Sequence, residues 1–289
     1  MKNFFIFLFF ISFSFAQVFS SYDYVGARAT SMSGSVTSGP EGTWSIFHNP
    51  AQLSNLKGVY VSNGYSQIFG LEFLPYYNLG LSYNGWALNI EQFSTELGEV
   101  ELSSESVIGL SKGVFLHRDR QSSIQLGLRL NFYEYELGIS SGIDGDGSSG
   151  VSLGNGTSTG IDFGFQGSLH DKYYIAYYFQ NINSSLITKN LGNDLPRTMS
   201  VGLSYRPYDN LLTSLEMKQL LGYENQQISF GIEYYLLQNF VIRTGVQSNS
   251  NRFSGGFEYH FSRLKFAYGF ITHHIMPVTH QLSIELKIK

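Results

Sequence analysis

Cysteine is absent from this 289-residue chain, so neither a disulfide framework nor a lipid-modified N-terminal cysteine is available, and the fold must rest on hydrogen bonds and burial. Charge is scarce too. Only 14% of residues are Asp, Glu, Lys or Arg, against roughly 25% in an ordinary soluble domain, which leaves too few to cover a surface facing water. The formal net charge of −4 comes without a basic stripe, which sets nucleic-acid binding aside. Long apolar runs are also missing: beyond the N-terminus no segment supplies the roughly 20 consecutive apolar residues of a helical membrane span.

The one apolar run, Phe4 to Phe15, is broken only by Ser12 and Ser14, follows Lys2 and gives way at Ala16-Gln17. It reads as a secretory signal peptide covering residues 1–16. What the chain has in abundance is glycine (31), phenylalanine (24) and tyrosine (20), arranged with a period of two. Ile124, Leu126, Leu128, Leu130 and Phe132 share one face, opposite Gln125, Gly127, Arg129 and Asn131. Leu282, Ile284, Leu286 and Ile288 likewise oppose Gln281, Ser283, Glu285 and Lys287. Strict alternation of this kind is the mark of strands with two unlike faces.

A soluble sandwich shows the same period, so the second face decides. Here it is Gly, Ser, Asn, Gln and isolated charges, which suits a wet or plugged lumen, while Tyr and Phe gather at segment ends as in an interfacial girdle. Residues 58–289 hold about fourteen such segments, with turn signals at Asn84-Gly85, around Asp119 and at Pro207 to Asn210. The expected fold is an all-β transmembrane antiparallel barrel of about 14 strands, in the outer membrane of a Gram-negative bacterium and surrounded by its lipid. Leu128 is expected to face hydrocarbon and Arg129 the lumen. Residues 140–160 are Gly/Ser-rich and read as one long external loop, with Gly154-Asn155-Gly156 as linker within it. Residues 17–57 lack alternation and are expected to fold into the lumen as a hatch.

Within that segment stand Gly26-Ala27-Arg28-Ala29-Thr30-Ser31-Met32-Ser33-Gly34 and, further on, Gly42-Thr43-Trp44-Ser45-Ile46-Phe47-His48-Asn49-Pro50-Ala51-Gln52-Leu53. This pair of motifs resembles the opening of the PorV/PorQ family, outer-membrane barrels related to FadL-type channels and associated with type IX secretion; Ser31 and Ser33 depart from its usual glycine-rich version. The resemblance implies a barrel of about fourteen strands with a luminal hatch, and marks Gly26, Arg28, Gly34, Asn49, Pro50 and Ala51 as the motif positions. Independently, proline fixes its own φ and pushes the preceding residue out of the helical region, so Asn49-Pro50 suits a rigid corner before the first strand. Arg28 in a lumen needs a carboxylate to offset its desolvation; Glu233, Asp162 and Glu258 are the candidates.

Other patterns carry little. Gly109-Leu110-Ser111-Lys112-Gly113 matches a hydrolase elbow, but its serine falls in an alternating strand with no helix after it. His273, His274 and His280 lack carboxylate or cysteine partners at ligand spacing, and Asp144-Gly145-Asp146-Gly147 lacks the rest of a calcium loop. No catalytic residue, metal or cofactor is implied. Three readings stay open. One is binding or shuttling of protein cargo with secretion-complex subunits, which the family resemblance implies. Another is FadL-like passage of a small hydrophobic molecule through a hatch-gated barrel, and a structural barrel with neither role is a third.

Overall fold

The computed structural model describes residues 22, 24–40, 42–97, 100–140, 150–183, 195–222, 224 and 226–288. The signal peptide and the Asp144-Asp146 motif lie outside them. Fourteen strands follow one another: β1 (Val59–Gln67), β2 (Pro75–Tyr83), β3 (Trp86–Leu97), β4 (Val100–Arg118), β5 (Ser122–Ile139), β6 (Ser152–Leu169), β7 (Tyr173–Gln180), β8 (Thr198–Tyr208), β9 (Leu211–Leu220), β10 (Gln226–Leu237), β11 (Phe240–Gln247), β12 (Arg252–Phe261), β13 (Leu264–Ile271) and β14 (Thr279–Lys287). Each pairs antiparallel with the next, and β14 returns to β1 with Tyr60 opposite Lys287 and Gln67 opposite His280. The sheet is a closed barrel, which leaves no edge unpaired.

Local chemistry sets the reversals. Asn84 and Gly85 take φ of 47° and 81°, the pair of positive values that a two-residue hairpin needs to match strand twist. At the β4–β5 turn, the Asp119 carboxylate accepts from the backbone N–H of Gln121 (2.7 Å) and Ser122 (2.6 Å). These bonds, with those of the Ser122 hydroxyl and His117, hold its pKa well below the usual carboxylate range. At this end, which also carries the start of β1 and the end of β14, six turns have only two or three residues each. The opposite end carries the long connections, including 140–151 and 181–197.

The phase read from the sequence holds. Leu128 is 54% exposed on the outer wall and Arg129 only 3% exposed inside. Aromatic residues ring the outer surface near both ends: Tyr173 stacks on Tyr205 at 4.9 Å between centroids, and Tyr65 meets Tyr77 at 5.0 Å. The loop expected over 140–160 is shorter than that. β4, β5 and β6 run 19, 18 and 18 residues, well beyond the roughly 9–11 that cross a bilayer, and project past the long-loop end. There Gly154, Asn155 and Gly156 pair with Leu137, Glu136 and Tyr135. Their small polar side chains give no apolar alternation, and a neighbouring strand supplies the hydrogen bonds that place them in a sheet.

Candidate functional site: the filled lumen

Fourteen strands enclose more space than wall side chains can fill, since about eight is the size at which they suffice. Here the remainder is occupied by the chain's own N-terminal segment. It forms α1 (Ala27–Ser31), α2 (Ser45–His48) and a 3-10 helix, Pro50–Asn55, before entering β1. One side of the segment is apolar, with Val25, Trp44, Ile46, Phe47, Leu53 and Leu56 packed against Ile68, Tyr76 and Ala87. The other side is polar and hydrogen-bonds its way around the wall.

The motif positions take distinct places. Gly26 (φ 88°) precedes α1 beneath the Trp44 ring, where a Cβ would stand 2.5 Å from Trp44 Cε3. Arg28, on α1, donates from Nε to Glu233 at 2.9 Å. Gly34 (φ 85°) ends the turn after α1 and faces Tyr24. Asn49 is fully buried: its Oδ1 accepts from the Ala51 N–H (3.1 Å) and its Nδ2 donates to the carbonyls of Thr37 (3.0 Å) and Phe165 (3.3 Å). Pro50 starts the 3-10 helix, and Ala51 lies against Gly127, where a Cβ would meet Ala51 N at 2.2 Å. The two motifs belong to one folded unit, joined through Thr37.

Several anchors were not marked by motif. The Glu216 carboxylate accepts the N–H groups of Val36 (3.0 Å) and Thr37 (2.9 Å) and the Thr37 hydroxyl (2.8 Å). Glu285 accepts from the Thr43 hydroxyl and pairs with Lys265 at 2.8 Å. Gln166 accepts from Gly39 N and Gln52 Nε2, each at 3.2 Å, and Ser283 Oγ from Ala27 N at 2.8 Å. Ser33 meets Ser254 at 2.8 Å, and Ser38 meets Ser204 at 2.7 Å. Their only sequence signal is a polar side chain on the inward phase of an alternating strand.

Of the three carboxylates proposed for Arg28, Glu233 takes it and shares it with Arg243, at 2.7 Å. Glu258 belongs to Arg243 (3.0 Å). Asp162 belongs to Arg129 (2.8 Å) and also accepts from Asn131, Tyr178 and the Asn181 N–H. Arg129 in turn donates to the Ile46 carbonyl at 2.9 Å, tying α2 to β5. Tyr178 therefore serves a polar network. Cavities of about 50 Å³ and 80 Å³ are left on the two sides of the segment.

Ser111 lies within β4, away from any strand-to-helix elbow. His273 and His274 stack on each other in the β13–β14 connection, while His280 sits in β14. No group of three His, Cys, Asp or Glu suited to a metal occurs among the described residues.

No protein-family model matches the sequence, and no curated protein matches it significantly. Solved structures do match. The Ralstonia pickettii toluene transporter TbuX superposes with a TM-score of 0.63 at 12% identity, covering 93% of this chain and 100% of that one. The Pseudomonas putida toluene transporter TodX gives 0.60 at 14%, covering 93% and 99%, and a Pseudomonas aeruginosa FadL homologue gives 0.57 at 11%, covering 91% and 98%. The fold is that of FadL-like outer-membrane barrels. The protein is thus placed in the outer membrane; in such barrels the short turns face the periplasm and the long loops the exterior. Identities this low carry the fold and no activity, and the PorV/PorQ resemblance rests on its motif residues alone.

Proposed function

We propose that this protein passes small hydrophobic molecules across the outer membrane, with residues 17–57 as the hatch. The observation that carries the reading is a lumen filled by the chain's own N-terminal segment. Beside the segment lie cavities of only about 50 Å³ and 80 Å³, and a basin of about 370 Å³ opens at the periplasmic mouth, so a molecule that crosses must displace the segment. The likeness over nearly the whole chain to barrels described as toluene transporters supports a hydrophobic cargo. The two sides of the segment suggest which part moves. The apolar side, from Trp44 to Leu56, would expose greasy surface if it left the wall and acts as the fixed hinge. The stretch from Ala27 to Gly42 buries only the small apolar cluster of Ala29, Met32 and Val36, is otherwise held by hydrogen bonds that exchange for water at modest net cost, and acts as the moving part.

Because cysteine is absent, a disulfide lock is clean. Ser33→Cys with Ser254→Cys ties the turn after α1 to β12 where the hydroxyls stand 2.8 Å apart. Cells carrying the oxidised pair are expected to lose protein-dependent accumulation of radiolabelled toluene and to regain it on reduction. Uptake unchanged by the lock would sink the hatch. No protein-dependent uptake by the unmodified barrel would sink the cargo class and return attention to type IX secretion, whose test is co-purification of secretion subunits.

A further inference from the structure

An apolar groove of about 680 Å³ lies outside the lumen, in the outer wall toward the periplasmic end of β5–β10. One transverse row of outward positions, set by the strand register, makes it: Ile124, Gly167, Ile175, Leu203, Leu215 and Phe230. Gly167 is the gap in that row. Unlike inward strand glycines such as Gly127 and Gly231, it has room, since a Cβ there would stand 3.4 Å from Ile175 and 4.0 Å from Phe165. The stacked Tyr173–Tyr205 pair borders the groove on its periplasmic side.

Beyond that pair the rim turns cationic. Lys172 and Arg206 stand side by side, with the Arg206 N–H donating to the Lys172 carbonyl at 2.8 Å. Arg206 also lines, with Arg118 and Arg120, a polar basin of about 370 Å³ at the periplasmic mouth. Groove and basin share Ser122, Ser123, Ser168 and Tyr174, so they lie back to back at the edge of the wall. The basin also holds two acids: Asp119, engaged by its own turn, and Asp171, next to Lys172 in the β6–β7 turn.

We infer that this groove is a specific site for an anionic phospholipid of the periplasmic leaflet. One acyl chain fills the notch at Gly167, and the phosphate rests against Lys172 and Arg206. An apolar channel ending at an interfacial aromatic pair and then at cations matches such a lipid in order: chain, glycerol backbone, headgroup. The volume is also in the roughly 300–1,000 Å³ range of small-molecule sites. The inference rests on placement in the outer membrane and is independent of the transport reading.

The test is lipid retention by the full-length barrel, delipidated in mild detergent and titrated with phosphatidylglycerol or phosphatidylcholine, with native mass spectrometry counting bound lipid. A single phosphatidylglycerol is expected to be held in preference to phosphatidylcholine. Gly167→Leu should weaken its retention about tenfold, the effect of displacing about two buried methylenes, and a heat-shifted gel band verifies that the variant is folded. Lys172→Gln with Arg206→Gln should abolish the headgroup preference while leaving chain-dependent binding. Equal retention by wild type and Gly167→Leu overturns the site. So does an absence of headgroup preference in the wild type, or a Gly167-dependent dimer without lipid.

Discussion

At the residue scale, adjacent positions in one strand answer to different solvents. Leu128 faces hydrocarbon, where arginine costs about 2–4 kcal/mol near the midplane, so Leu128→Arg is expected to block assembly, read as loss of the heat-modifiable band. Arg129→Leu, which phase alone marks as tolerable, acquires a different expectation from its partners. It strips Asp162 of its cation and α2 of its Ile46 bond, and breaking a buried pair from one side costs about 3–5 kcal/mol. The barrel should still insert, but with a luminal segment more open to protease. The Glu233 cluster ranks the same way. Arg28→Gln leaves Glu233 paired to Arg243, whereas Glu233→Gln strands Arg28 and leaves Arg243 with Glu258 alone. In thermal melts followed by near-ultraviolet circular dichroism, Glu233→Gln is expected to destabilise the protein more than Arg28→Gln.

At the element scale, α1 and the 3-10 helix are held close to the wall by what the wall omits. A Cβ at Gly127 would fall 2.2 Å from Ala51 N and Pro50 C, and one at Gly256 2.7 Å from Ser31 Oγ. Overpacking of this kind typically costs about 1–3 kcal/mol. Gly127→Leu is therefore expected to push Pro50–Asn55 off the wall and raise single-channel current noise, while the outward Gly167→Leu leaves the current unchanged. Equal noise in both variants would show that the close approach of the 3-10 helix does not hold the segment in place.

At the scale of the whole molecule, the barrel closes without help from the segment inside it. Every strand from β1 to β14 has its two neighbours, and the luminal segment adds only side chain and backbone contacts to their inner faces. Deleting residues 17–48 while keeping the signal peptide should leave an inserted barrel with raised conductance in planar bilayers. Conductance equal to the full chain would mean that the segment is not what blocks the lumen.

The sequence by itself determined the strand phase, the turn at Asn84-Gly85, the barrel class and the absence of alternation in the segment that fills the lumen. Each follows from a period of two or from local φ preferences, which are properties of neighbours along the chain. Tertiary structure alone decided that Arg28 meets Glu233 and not Asp162 or Glu258, because all three carboxylates share the inward phase and only barrel closure sets their heights around the wall. It also decided that Gly154 to Gly156 form a strand, since their hydrogen bonds come from β5, and that Glu216, Gln166 and Glu285 anchor the segment. The groove at Gly167 was equally hidden: the row that forms it joins six strands spread over more than a hundred residues, and no window of sequence brings them together.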